Sequence, residues 1–151
     1  MANINRIKTD LQKETQGVWI DFEVGIRLKI ARARNPAYNE MMRKLTEPYR
    51  KTIRDGGMEI EDLENLQRQI RAKTILLDWE NIEDEDGKTI EYSPERALEF
   101  FHDLELRDFY TFVILESENM ENFKKELIKD SEKNLSTSSD GSSNGEDTKV
   151  S

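Results

Sequence analysis

The segment VWIDFEVGIRLKI, residues 18–30, decides the fold because apolar and polar residues alternate along it on both sides of a glycine. This two-residue period predicts a β-hairpin with its turn at Gly25 and one apolar face. An isolated hairpin is only marginally stable in water, so other elements must cover that face. The rest of the chain is therefore expected to supply helices that pack on it.

The sequence after the hairpin predicts two helices separated by glycines. Asn35-Pro36 begins the first helix, because asparagine caps free backbone amides and proline fits the first helical position. Pro48 removes one backbone hydrogen bond and should kink or divide this helix, and Gly56-Gly57 should end it. The second helix is predicted over residues 59–79. Its apolar stripe comprises Ile60, Leu63, Leu66, Ile70 and Leu77.

The second half of the chain predicts a loop followed by two further helices. Residues 81–92 predict an acidic loop or a loose hairpin around Asp86-Gly87, and Ser93-Pro94 then caps and begins a short helix. Residues 74–77, which are apolar on several sides, are expected to be the most buried part of the fold. The final helix carries an apolar stripe that comprises Phe109, Phe112, Val113, Met120, Phe123 and Leu127.

These patterns divide the chain into three segments. Residues 1–16 are polar and predict a flexible or short helical N-terminus, and residues 17–130 hold a helical domain with the hairpin at its start. Residues 131–151, rich in serine, aspartate and glycine, predict a disordered tail. The predicted fold class is mainly α with a short β-hairpin near the N-terminus, which is an α+β arrangement.

Composition points to a soluble protein with unevenly distributed charge. The 151 residues have a net charge of −9 and no cysteine, which excludes disulfides and thiolate metal sites. Residues 1–54 contain 12 basic and 6 acidic residues, whereas residues 55–151 contain 11 and 26. The sequence shows neither a membrane span nor a secretory signal, so we expect a cytoplasmic protein. The divided charge is compatible with a homo-oligomer.

The sequence contains no recognisable catalytic, cofactor-binding or metal-binding motif, so no residue is assigned to any of these roles. The single histidine, His102, lies at a predicted helix end without a nucleophile in a recognisable motif. Gly56-Gly57 lacks the spacing of a phosphate-binding loop. The acidic loop at residues 83–87 does not fit a calcium-binding frame, which would place Ile82 and Ser93 where carboxylates are required. The negative net charge also argues against nucleic acid as a partner.

The order of several short motifs resembles that of a known family. They are GIRLKIARARNPAY (residues 25–38), LTEP (45–48), TILLDWEN (74–81), IEYSPERA (90–97) and LRDFYTF (106–112). With the acidic Asp-Gly turn between the third and fourth, this order is similar to that of the small tail assembly chaperones of long-tailed phages and prophages. The resemblance covers roughly residues 17–134.

The resemblance implies a non-catalytic role in virion assembly. A chaperone of this family binds the tape-measure protein, keeps it soluble until the tail tube polymerises, and is absent from the mature virion. Its implied location is the cytoplasm of the infected or lysogenic bacterial host, with the tail tube protein as a second candidate partner. The alternative is a small structural virion protein, either a tail-completion or a head–tail joining component.

Flexible or aromatic side chains that can adapt to apolar partners are the candidates for the binding surface. They are Met41, Met42, Tyr49, Tyr110, Ile114 and Met120. Phe100, Tyr110 and Ile114 lie off the best core stripes. We therefore hypothesise an apolar groove beside the last two helices.

Overall fold

A three-stranded antiparallel sheet lies at the centre of the computed structural model. The predicted hairpin is confirmed, since β1 (Val18–Glu23) pairs with β2 (Ile26–Ile30). Gly25 has a φ of +82° in the turn between them. The sheet is completed by β3 (Leu76–Glu80), which pairs with the other edge of β2.

The third strand corrects the predicted helix over residues 59–79. The helix ends at Thr74, and the chain then crosses to β2, where Trp79 pairs with Leu28. A short apolar run can form either a helix or a buried strand, and pairing with a distant strand decides between them. Of residues 74–77, which were expected to be the most buried, the first three are buried and Leu77 is half-buried. They lie at the junction of helix and strand.

The helices that precede β3 are α1 (Leu11–Gln16), α2 (Pro36–Thr46), α3 (Arg50–Arg54) and α4 (Ile60–Thr74). The predicted signals begin α2 at Pro36 and end α3 before Gly56. The Asn35 side chain caps α2 by accepting a hydrogen bond from the Tyr38 amide. Pro48 lies in a 3₁₀ turn, Glu47–Tyr49, that divides α2 from α3, and Gly56 follows α3 with a positive φ.

Two helices follow β3, and the second is shorter than predicted. The first is α5 (Pro94–His102), capped by Ser93, and the second is α6 (Arg107–Ser117). A 3₁₀ turn at Met120–Phe123 replaces the predicted continuation of α6. In this turn the Asn119 side chain accepts a hydrogen bond from the Glu121 amide, a local contact that competes with helix propagation.

Trp79 lies at the centre of the core. Its ring stacks on Phe100 with centroids 4.7 Å apart, and its Nε1 donates a hydrogen bond to the Ile90 carbonyl over 2.7 Å. Phe22 of β1 packs against Phe112 of α6 at 4.8 Å, so helices cover the hairpin as expected. The buried cluster comprises Leu28, Ile30, Tyr38, Ile70, Ala72, Ile75, Leu76, Trp79, Ala97, Phe101, Phe109 and Val113.

The structure describes residues 1–126, which fall into two compact units. The elements above lie in the unit Asp10–Phe123. The other unit contains Met1–Thr9, with a 3₁₀ turn at Ile4–Ile7, and an antiparallel bridge joins Thr9 to Lys124. The predicted disordered tail at residues 131–151 and the predicted core residue Leu127 lie outside the described residues. Within residues 1–126 no helix has the length and apolarity needed to cross a membrane.

Candidate partner-binding surfaces

The connection between α2 and α4 projects apolar side chains into solvent. We call residues 47–64 the α3–α4 tip; apart from half-buried Met58, all of them are exposed. Tyr49 and Ile53 are 45% and 39% exposed, and Ile60 and Leu63 are 76% and 37% exposed. Ile60 and Leu63 belong to the predicted apolar stripe of α4, so that stripe is covered only from Leu66 onward.

Both signs of charge surround these apolar residues. Arg50 and Arg54 in α3 form exposed ion pairs with Glu47 and Asp55. The first turn of α4 is acidic. Exposed pairs of this kind contribute at most about 1 kcal/mol each, so they keep the tip soluble more than they stabilise it.

The predicted candidates Met41 and Met42 lie on α2 below the tip. Both are half-buried and pack against the core cluster, as Leu45 does. Their role in covering the core leaves only part of each side chain open to a partner. Tyr49, by contrast, lies within the tip and is open to solvent.

A second surface surrounds Tyr110, another predicted candidate. Its ring packs on Phe101 with centroids 4.5 Å apart. The guanidinium carbons of Arg68 and Arg71, on α4, each lie 5.8 Å from the ring centroid. Arg71 Nη1 also donates a hydrogen bond to the Tyr110 hydroxyl over 2.8 Å. Ile114 is half-buried one helical turn further along α6.

The two arginines have few polar partners. Arg68 Nη1 donates a hydrogen bond to Asn65 Oδ1 over 3.0 Å, but the buried Arg68 Nε has no hydrogen-bond partner. Within residues 1–126, no carboxylate forms an ion pair with either arginine. Arg71 also borders a cleft of about 20 Å³, far smaller than a small-molecule site. Its lining comprises Ala33, Arg34, Tyr38, Arg71, Ile75, Ser117 and Glu118.

The six predicted residues do not form one surface. Tyr49 lies in the tip and Tyr110 lies beside the arginines, while Met120 is 60% exposed in the turn after α6. Phe100, a motive for the hypothesised groove, stacks on Trp79 instead. Sequence reasoning missed Arg68 and Arg71, because their contacts with Tyr110 on a helix far along the chain leave no local signal.

Groups that could support ion chemistry are engaged in local structure. In the acidic loop, Asp84 Oδ1 accepts hydrogen bonds from the amides of Asp86 and Lys88, each with a donor–acceptor distance of 2.9 Å. His102 is exposed at the end of α5. The described part of the chain contains no group of three or more His, Cys, Asp or Glu side chains placed to hold a metal ion.

The elements together define a small, mainly helical α+β protein built on a three-stranded antiparallel sheet. The chain belongs to the YdaY prophage protein family, whose model matches residues 33–134, about two-thirds of its length. The match begins just before α2 and includes both the α3–α4 tip and the Arg68–Arg71–Tyr110 cluster. No curated protein and no solved structure matches the chain.

Proposed function

We propose that the protein is a tail assembly chaperone that binds the tape-measure protein and keeps it soluble until the tail tube polymerises. Membership of a prophage family supports a role in the phage life cycle. The order of motifs from residue 25 to residue 112 supports tail assembly in particular. In this proposal the protein acts in the cytoplasm of the bacterial host and is absent from the finished particle.

The exposed half of the α4 stripe is the observation that carries the proposal. Ile60, Leu63, Leu66 and Ile70 follow one another along one side of α4, and the stripe passes from open to fully buried. At the buried end, α2 and α5 supply the packing. At the open end the same kind of packing is available to an apolar helix from another protein.

The energetics suit a chaperone that must release its partner. Burying apolar surface gains about 25 cal/mol per Å², and the tip offers four partly exposed side chains rather than a deep groove. Ordering the interface and losing free translation offset much of that gain. A complex held by such contacts forms reversibly, and several copies of the chain could cover a long apolar partner.

Co-expression with the tape-measure protein of the same prophage tests the proposal. We expect the wild-type chain to make that protein soluble and to co-purify with it. The double variant Ile53→Lys/Leu63→Lys should reduce the co-purified amount at least about tenfold, because it places charges where apolar packing is required. Both side chains are already partly in solvent, so the unfolding midpoint should change little.

A matched control uses exposed apolar residues outside the tip. Val24→Lys changes a fully exposed residue and Leu104→Lys one that is 78% exposed, and both variants should bind like the wild type. An insoluble tape-measure protein in the presence of the wild-type chain would contradict the proposal. So would detection of the chain in purified particles by mass spectrometry, which would favour a structural virion protein.

A further inference from the structure

We propose that Arg68 and Arg71, together with the Tyr110 hydroxyl, form a binding site for carboxylate groups on an acidic segment of a partner protein. The site lies between α4 and α6, and the inference does not depend on the partner being the tape-measure protein. Both guanidinium groups are held against the Tyr110 ring, and neither forms an ion pair with a carboxylate among the described residues.

The two guanidinium groups are held before any ligand arrives. Arg68 and Arg71 are three residues apart on α4, which places them on the same side of the helix. Each lies 5.8 Å from the centroid of the Tyr110 ring, and Arg71 is fixed further by its bond to the hydroxyl. The ring in turn rests on Phe101. Less side-chain freedom is therefore lost when a ligand binds.

The two arginines also lack the ion pairs that several other arginines form among the described residues. Among the described residues, ion pairs join Arg27 to Asp21 and Glu80, Arg32 to Glu14, Arg43 to Glu40, Arg50 to Glu47, and Arg96 to Glu99. No such pair involves Arg68 or Arg71, although the chain has 32 acidic residues. The buried Arg68 Nε also has no hydrogen-bond partner, so part of its desolvation cost is uncompensated.

The surroundings favour an acidic protein segment over a nucleic acid. A planar guanidinium can bind a carboxylate through two parallel hydrogen bonds. Half-buried Ile114 lies beside the site, so a segment that combines acidic and apolar residues finds contacts for both. Glu118 in the cleft next to Arg71 and the net charge of −9 repel every anion, and they oppose a phosphate backbone, which is charged at every nucleotide and has no apolar side chains, more than a segment that mixes carboxylates with apolar residues.

Nuclear magnetic resonance of the arginine Nε–Hε groups can test the site directly. Poly-L-glutamate serves as the carboxylate probe, and an oligodeoxythymidylate serves as the phosphate probe. We expect poly-L-glutamate to shift the Arg68 and Arg71 signals in a saturable manner that weakens as salt is added. The double variant Arg68→Gln/Arg71→Gln should weaken the binding of poly-L-glutamate at least about tenfold.

Two further variants separate a lost site from a lost fold. Arg68→Lys/Arg71→Lys keeps the charge but removes the planar fork, and should still weaken binding several-fold. Arg43→Gln/Arg96→Gln removes two exposed, paired arginines elsewhere and should leave binding unchanged. The inference is overturned if poly-L-glutamate leaves both signals in place. It is also overturned if the oligonucleotide shifts them at lower concentration.

The two proposals can fail independently. The tip variant Ile53→Lys/Leu63→Lys leaves all three groups of the carboxylate site in place, so it should bind poly-L-glutamate like the wild type. If poly-L-glutamate binds but the tape-measure protein is not solubilised, the carboxylate site stands and the chaperone proposal is wrong. If the tape-measure protein is solubilised but poly-L-glutamate does not bind, the chaperone proposal stands and the carboxylate site is wrong.

Discussion

The side-chain amide of Asn35 joins three parts of the chain at a buried point. Its Oδ1 accepts a hydrogen bond from the Tyr38 amide at the start of α2. Its Nδ2 donates to the carbonyls of Arg32 and Thr74, over 2.9 and 3.1 Å. The cap was predictable from the sequence, whereas the bond to Thr74 at the end of α4 depends on the tertiary fold.

Asn35→Ala should therefore lower the free energy of unfolding by more than the loss of a helix cap alone would. Removal of the cap costs about 1 kcal/mol, and the buried Thr74 carbonyl left without a partner adds about 1–2 kcal/mol. We expect the free energy of unfolding in urea to fall by about 2–3 kcal/mol. The exposed Asn39→Ala variant should lose less than about 1 kcal/mol. Equal losses in the two variants would mean that the bond to Thr74 contributes nothing.

Tyr92 makes stability depend on pH in the alkaline range. Burial raises the pKa of its hydroxyl from 10.0 to about 12, and the charges of Asp78 and Glu95 add to the shift. The hydroxyl donates to the Leu76 carbonyl over 2.6 Å. The protonated form is thus favoured in the folded chain. The protonated hydroxyl stabilises the folded chain fully below pH 10, and this stabilisation is lost as the pH rises from 10 to about 12.

Urea unfolding at a series of pH values between 9 and 12 measures this effect. In the wild type the unfolding free energy should fall across that range more steeply than in Tyr92→Phe, which has no proton to lose at this position. Tyr49→Phe, at an exposed tyrosine, is the matched control and should follow the wild-type curve. Parallel curves for the wild type and Tyr92→Phe would show that the Tyr92 hydroxyl titrates alike in both states.

At the scale of elements, two glycines border β1 with nearly the same φ but different surroundings. Gly17 has a φ of +83° and a ψ of 165°, a region that is almost exclusive to glycine. A Cβ at this position would lie 3.2 Å from the Ile30 carbonyl group and from the Leu77 side chain. Gly25, with a φ of +82°, has no atom within 4 Å of such a Cβ.

Gly17→Ala should consequently destabilise the fold much more than Gly25→Ala. The substitution at Gly25 adds only the cost of a left-handed alanine, about 1 kcal/mol. At Gly17 the steric conflict with β2 is added, and we expect a total of about 3 kcal/mol. Urea unfolding of the two variants gives the comparison. Similar losses would indicate that β2 moves away at little cost.

The elements that the sequence predicted correctly are those with local signals. Asn35-Pro36 and Ser93-Pro94 begin their helices, and Gly25 turns the hairpin, because each acts through neighbours in the chain. The strand β3 was missed because its apolar residues suit a helix equally well. Only pairing with β2, about 50 residues earlier in the chain, makes it a strand.

At the scale of the whole molecule, the charge asymmetry of the sequence persists in the fold. Most ion pairs among the described residues join residues of the same half of the chain, and the exceptions there are Arg27 with Glu80 and Arg54 with Asp55. The candidate surfaces could be predicted only in part from the sequence, because tertiary packing decides which side chains are exposed. Tyr49 and Tyr110 were identifiable as adaptable residues, but exposure of Ile60 and confinement of Arg71 follow from how α4 packs. Tertiary packing separates the two surfaces that the two proposals assign.

The position of β3 in the chain also has a consequence for synthesis on the ribosome. The hairpin leaves the exit tunnel first, yet β3 and the aromatic residues of α6 that cover it are translated about 50 to 90 residues later. At about 5–20 residues per second, Ile20 and Phe22 stay uncovered for several seconds. During that interval the apolar face of the hairpin is open to any chaperone that binds unfolded chains.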